Sequence, residues 1–200
     1  MEQGSQEWLK WRAKGIGSSD IGTIMGVNPY KTPYQLWSEK CEITQEIDIS
    51  KNYFVKRGNT LEPYARDLFN ETFSSKFIPD VFIDEKFEFM RYSSDGFDME
   101  KNEIIEIKCM GDKNHTKFCD SLEVPGQYLY QCLWALMISK AVKLHFVAYN
   151  PSFPFPITTI SIFPDENKNI LMQTKASEFW NCVISKKWEF EKNENTRGPN

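Results

Sequence analysis

Tyr128 to Ile138 forms an almost wholly apolar run. It is longer than an ordinary strand and about half the roughly 20 residues that a bilayer span needs, so it predicts a helix covered on several sides inside a folded domain. The helical pattern extends from Pro125 to Lys140, and Gln131 is the one strong hydrogen-bonding side chain inside the run. Such a helix needs other layers around it. Strand-like runs are present to supply them: Phe77–Ile83, Phe87–Asp95, Glu103–Met110, Val142–Tyr149 and Ile157–Phe163. Amphipathic or capped helical patterns cover Gln6–Lys14, Ser19–Met25, Thr32–Cys41, Tyr53–Phe73 and Asp165–Phe190. A few strands crossed by helices on both flanks predict an α/β or α+β sheet domain. At 200 residues one domain over 1–191 is expected, with 192–200 as a flexible C-terminal tail.

Composition excludes several classes. Five cysteines are an odd number without a C-x-x-C pair, and only His115 and His145 could join them, so a disulfide scaffold, a structural zinc site and an iron–sulfur cluster are poorly supported. The polar N-terminus and the absence of a long apolar segment predict a soluble protein that is not exported. The net charge of −4 argues against binding nucleic acid by phosphate neutralisation alone. Two bound divalent cations would neutralise that charge, so an acidic, metal-requiring chain can still face phosphate.

In the strand Glu103–Met110, Ile105, Ile107 and Cys109 alternate with Glu106 and Lys108, which puts an acid and a base on one face. An exposed edge strand would look the same. If a turn falls between Glu100 and Lys101, however, Asp95 stands opposite Glu106 with Cβ atoms about 5 Å apart. That like-charge pair destabilises a sheet unless a cation lies between, and Mg²⁺ prefers such oxygen ligands. On the residues alone, other features have ordinary readings as well. Glu62 and Arg66 can be a solvated ion pair one helical turn apart, and Gln131 a buried amide satisfied by backbone. Trp8 and Arg12 can be a packed ring with a snorkelling cation, and Ser18, Ser19 and Asp20 a helix cap.

The order Asp95, then Glu106-Ile107-Lys108, resembles the PD-(D/E)xK nuclease motif, although Ser94 stands where the usual proline would be. Around it, Trp8, Arg12 and Gly15-Ile16-Gly17-Ser18-Ser19-Asp20, Arg57-Gly58-Asn59-Thr60-Leu61-Glu62, Ser93-Ser94-Asp95-Gly96 and Tyr128-Leu129-Tyr130-Gln131 follow in the order found in YqaJ-type viral recombinases, relatives of the phage lambda exonuclease. The resemblance spans about residue 5 to Pro151.

The resemblance implies a restriction-endonuclease-like core, a small mixed β-sheet flanked by helices. It implies a Mg²⁺-dependent exonuclease, with two ions and Mn²⁺ able to substitute, that digests linear duplex DNA 5′ to 3′ and leaves 3′ single strands for recombination. Asp95, Glu106, Lys108, Glu62 and Gln131 would form the catalytic set, with Asp95, Glu106, Glu62 and the Ile107 carbonyl as metal ligands. Arg12, Ser18, Ser19, Ser93 and Gln131 would hold the 5′-phosphate, either serine of the adjacent pair being able to point inward. A single-strand annealing protein as partner, a homotrimeric ring and a host-cytoplasmic location are further implications. A restriction-type or structure-specific endonuclease shares the metal site, and a non-catalytic DNA-end-binding module shares the fold. Lys108→Ala is expected to spare the fold, since the core residues Ile105 and Ile107 lie on the opposite face of the strand.

Overall fold

The computed structural model describes residues 3–45, 49 and 51–190. Along the chain run α1 (Gln6–Ala13), α2 (Ser18–Ile24), α3 (Pro33–Lys40), α4 (Tyr53–Phe73), β1 (Ile78–Ile83), β2 (Arg91–Asp98), β3 (Glu103–Cys109), α5 (Asp112–Ser121), α6 (Gly126–Ser139), β4 (Lys143–Tyr149), β5 (Ile157–Ile162) and α7 (Glu166–Ser185). The strands form one mixed sheet in the order β1-β2-β3-β4-β5. Neighbours are antiparallel except β3 and β4, which run parallel from Glu103↔Lys143 to Cys109↔Tyr149. A parallel pair needs a crossover, and α5 with α6 supplies it.

Both faces of the sheet are covered. On one, α6 buries Cys132, Leu133, Trp134, Ala135, Leu136 and Ile138 in a cluster with Ile104, Leu144 and Phe146 from the sheet, joined by residues of α2 and α7. The apolar run is therefore enclosed on several sides, as its composition requires. Trp134 is fully buried, and its indole N–H donates to the Arg91 carbonyl at 3.0 Å. Truncating it to alanine would cost roughly 3 to 5 kcal/mol. On the other face α4 packs Ala65 and Phe69 against Ile105, Ile107 and Val147. Among the described residues no helix is long and apolar enough to cross a membrane.

Three elements differ from the sequence expectation. Helix α5 lies where the pattern predicts none, because it buries only His115 and Phe118 and has no side-chain cap at Gly111. Strand β2 starts at Arg91 rather than Phe87. The preceding residues turn instead, with Asp84 Oδ1 accepting from the Lys86 and Phe87 amides and Met90 bridging to Ile16. Helix α7 ends at Ser185, where Lys186 takes a left-handed φ of 53°. The expected tail at 192–200, like residue 191, lies outside the described residues.

Candidate active site

The turn from β2 to β3 is held by one carboxylate. Asp98 Oδ1 accepts from the Glu100 and Lys101 amides, both at 3.1 Å, and Oδ2 from the Lys76 amide at 3.0 Å. This sets the register Asp98↔Glu103, Phe97↔Ile104 and Gly96↔Ile105, as a turn between Glu100 and Lys101 requires. A Cβ on Gly96 would lie 2.8 Å from Phe77 Cβ and 3.0 Å from Ile105 Cγ1, so only glycine allows this approach. The backbone ladder then stops. The Ile107 amide donates to the Asp95 side chain, at 2.7 Å to Oδ2, instead of to a strand partner. On the other edge of β2 the register with β1 shifts by one between Ile78 and Asp80, and the Ser94 hydroxyl bonds the Asp80 amide and carbonyl at 3.1 and 3.2 Å. Such irregularities re-aim side chains. The expected direct pairing of Asp95 with Glu106 is thus replaced by a side-chain-to-backbone bond at the splayed end of the pair.

Asp95 and Glu106 are 9% and 2% exposed. Glu106 Oε1 accepts from Lys108 Nζ and from Gln131 Nε2, each at 2.6 Å, which brings α6 onto the site. Glu62 on α4 pairs with Arg66 at 3.1 Å, and the same guanidinium nitrogen donates to the Asp95 carbonyl at 2.7 Å. Burial, then the charges of Glu106 and Glu62, push the Asp95 carboxyl well above the usual carboxylate range, against the opposing pull of Lys108 and the Ile107 amide. Glu62 is raised for the same reason, burial first, with Arg66 opposing and Glu106 adding. Burial alone would lower the Lys108 pKa, but Glu106 and Asp95 outweigh it and hold the amine protonated. The ammonium also lies 5.0 Å from the centre of the Tyr128 ring. Cys109, on the opposite face of β3, is pushed up to about 11 by burial and by Glu62.

A second cluster adjoins the first. Arg12 Nη2 donates to Ser19 Oγ at 2.6 Å, and its guanidinium lies 5.2 Å from the Trp8 ring centre. Trp8 Nε1 donates to Ser93 Oγ at 3.0 Å. Ser93 precedes Asp95 by two residues on β2, so the Ser93 end of this cluster lies about 7 Å from Asp95 along the strand. Of the serine pair, Ser19 meets Arg12, while Ser18 is buried at the start of α2. Asp20 bonds Lys40 at 2.9 Å and accepts from the Gly17 amide at 3.1 Å, so it caps its helix as well as facing the cations.

All five residues expected in a catalytic set therefore converge, and Arg66 and Tyr128, to which the sequence reading gave no role at the site, join them as neighbours. Arg66 had a signal, its one-turn spacing from Glu62. Among the described residues no group of three or more His, Cys, Asp or Glu side chains is arranged as a ready cation cage. Lys108, Gln131, Arg66 and the Ile107 amide occupy carboxylate oxygens instead. The cleft of about 450 Å³ between Phe73, Phe77, Lys143 and His145 includes none of these residues.

The fold has counterparts. The chain is 20% identical to an alkaline exonuclease from Laribacter hongkongensis, solved alone and with dAMP, with a TM-score of 0.81 over 91% of this chain and 94% of that one. A phage-related exonuclease from Haemophilus somnus matches at a TM-score of 0.62 and 16% identity, over 86% of this chain and 96% of that one. At these identities the likeness shows a shared fold. In sequence, the uncharacterized protein YqaJ of Bacillus subtilis is 30% identical over 138 residues, which are 65% of this chain and 41% of that protein. The chain thus spans less than half the length of that relative. The model of the YqaJ-like viral recombinase domain matches residues 7–142, a stretch that holds both clusters, and the chain belongs to that family.

Proposed function

We propose that this chain is a Mg²⁺-dependent exonuclease that degrades one strand of linear duplex DNA from a 5′-phosphorylated end. The observation that carries the reading is the meeting of Asp95, Glu106, Lys108, Glu62 and Gln131 at the splayed end of β2 and β3, with the Arg12–Ser19 pair joined through Trp8 to Ser93, two residues before Asp95. The donors suit the ion. Even with Lys108 and Arg66 beside them, burial and mutual repulsion raise the pKa of Asp95 and Glu62, which leaves negative charge for a further cation, and a set of oxygen ligands favours Mg²⁺ or Mn²⁺. Asp95, Glu106 and Glu62 would hold it. The Ile107 carbonyl would assist, since the amide and carbonyl of one residue leave the same edge of a strand and that amide faces Asp95. When bound, the ion supplies an acidified water and stabilises charge on the phosphodiester.

The chain's own groups do the rest. Lys108, bonded to Glu106 at 2.6 Å, is placed to steer a water and to offset charge that grows on the phosphate oxygens. Gln131 holds Glu106 in one orientation through its amide donor, and its carbonyl oxygen can accept from a water. Arg12 and Ser19 grip a terminal phosphate with charge-assisted hydrogen bonds, and Ser93, held by Trp8, can add another. Ser93, two residues before Asp95, would link a terminal phosphate held there to the carboxylates. The remaining 3′-ended strand would suit a single-strand annealing partner.

The test is a linear duplex labelled separately on each strand, digested with Mg²⁺ or in EDTA, beside a closed circle. With one end 5′-phosphorylated and the other 5′-hydroxyl, loss of the 5′-phosphorylated strand alone, in Mg²⁺ alone, with the circle intact, is expected. Cutting of the circle would replace this reading with the endonuclease, and no cleavage under any cation would overturn it.

A further inference from the structure

Gly58 sits in the interior of α4, where a Cβ built on it would meet no atom of the described residues within 4 Å. Glycine weakens a helix interior relative to alanine, and no contact among the described residues requires it here. Phe54, Gly58 and Glu62 follow at four-residue spacing, so they lie along one ridge of the helix. One end of that ridge is Glu62, in the carboxylate cluster. The other end is Phe54, 69% exposed, whose ring stands 5.5 Å from that of Tyr53, itself 70% exposed. The two ends are about 12 Å apart along the axis. Beside the ridge Arg57 donates to the Cys109 carbonyl at 2.8 Å, which fixes a guanidinium next to the end of β3 that carries Lys108. In a chain of net charge −4, residues 49–61 contain Lys51, Lys56 and Arg57 and no acidic residue.

We propose that this ridge is a track for single-stranded DNA. Resting on the nuclease reading above, the proposal names where an unpaired strand lies as it leaves or enters the carboxylate site. Bases stack on Phe54 and Tyr53, the sugar-phosphate chain runs against the bare helix surface at Gly58, and Arg57 with Lys51 and Lys56 offsets its charge. Duplex DNA does not fit the aromatic pair, because stacked and paired bases offer no free face, whereas an unpaired base does. A protein partner fits less well, since the exposed aromatics are interleaved with Lys51, Asn52, Lys56 and Asn59 rather than set in an apolar patch.

Two variants test the track in the full chain. Gly58→Ala adds a methyl group into open space in a helix, so it should raise Tm by about 1 to 3 °C. It should nevertheless weaken binding of a labelled single-stranded dT oligonucleotide, measured by anisotropy in Ca²⁺, and slow strand digestion in Mg²⁺. Phe54→Ala, at an exposed site, should lower affinity for the same oligonucleotide roughly 5- to 100-fold. An abasic oligonucleotide should bind wild type that much more weakly, with no further loss in Phe54→Ala. If wild type degrades DNA while both variants bind and digest as it does, the track is refuted and the nuclease reading stands. If wild type cleaves no DNA yet the binding losses appear, the nuclease reading fails and the track survives as a binding surface.

Discussion

The Asp95 carboxylate accepts the Ile107 amide hydrogen at 2.7 Å, across two strands whose backbone pairing has ended one rung earlier. One side chain therefore closes the ladder and contributes a negative charge to the candidate site. Asp95→Asn keeps an acceptor for Ile107 and removes the charge that burial and Glu106 disfavour, so its Tm in EDTA should exceed that of wild type. Asp95→Ala leaves the buried amide without an acceptor and should cost about 1 to 3 kcal/mol. Both should lower cleavage roughly 100- to 1000-fold. At 100 times its dissociation constant, Mg²⁺ should stabilise wild type by about 2.7 kcal/mol and Asp95→Asn far less, a difference readable in a thermal melt. Equal Mg²⁺ shifts in the two proteins would remove Asp95 from the metal site.

Lys108→Ala should abolish cleavage, and packing adds a stability cost that the expectation of an intact fold did not include. The face that carries Lys108 also carries the core residues Ile104 and Phe146, and the side chain of its partner Glu106 is 3% exposed. Removing the cation leaves a nearly buried carboxylate supported by Gln131, at a cost of roughly 2 to 4 kcal/mol. Denaturant unfolding at neutral pH measures this loss. A variant as stable as wild type but inactive would show that the pair matters only for chemistry.

Arg12→Ala should slow digestion of a 5′-phosphorylated duplex roughly 30- to 1000-fold and change little on a 5′-hydroxyl duplex. The comparison requires both ends in both proteins, since a folding defect would lower all rates together. Wild type that degrades both ends equally would make Arg12 a structural partner of Ser19 and Trp8.

Asp20 predicts a pH signature. Burial would raise its pKa, but Lys40, Arg12 and the Gly17 amide outweigh this and leave it lowered. A depressed carboxylate pKa contributes stability that is fully present above the unfolded value, near 4, and is lost as pH falls through the folded value. The stability gap between wild type and Asp20→Asn should be constant above about pH 5 and shrink below about pH 4. A gap that widened on acidification would have the wrong sign.

Much of the site can be read from the chain because its ingredients are local. The turn at Glu100 and Lys101 fixes the register of β2 on β3, and strand alternation places Glu106 with Lys108 on the face away from Ile105 and Ile107. Helical spacing couples Glu62 to Arg66, and the apolar run of α6 announces a buried helix carrying Gln131. Helix α5 escapes this reading because it buries too few side chains to mark a period.

The sequence by itself determined the types of the elements other than α5, the register near the turn and the chemistry of the motifs, since each depends on neighbours a few residues apart. Only the tertiary structure decided that Gln131 reaches Glu106, that Trp8 holds Ser93 from 85 residues away, that Ser19 rather than Ser18 meets Arg12, and that the ladder opens at Asp95. Those outcomes depend on how α1, α2 and α6 pack on the sheet and on where Gly96 lets β2 approach Phe77 and Ile105. Local spacing specifies which way a side chain leaves its own element. Long-range packing, settled by the burial of both sheet faces at once, decides what that side chain meets.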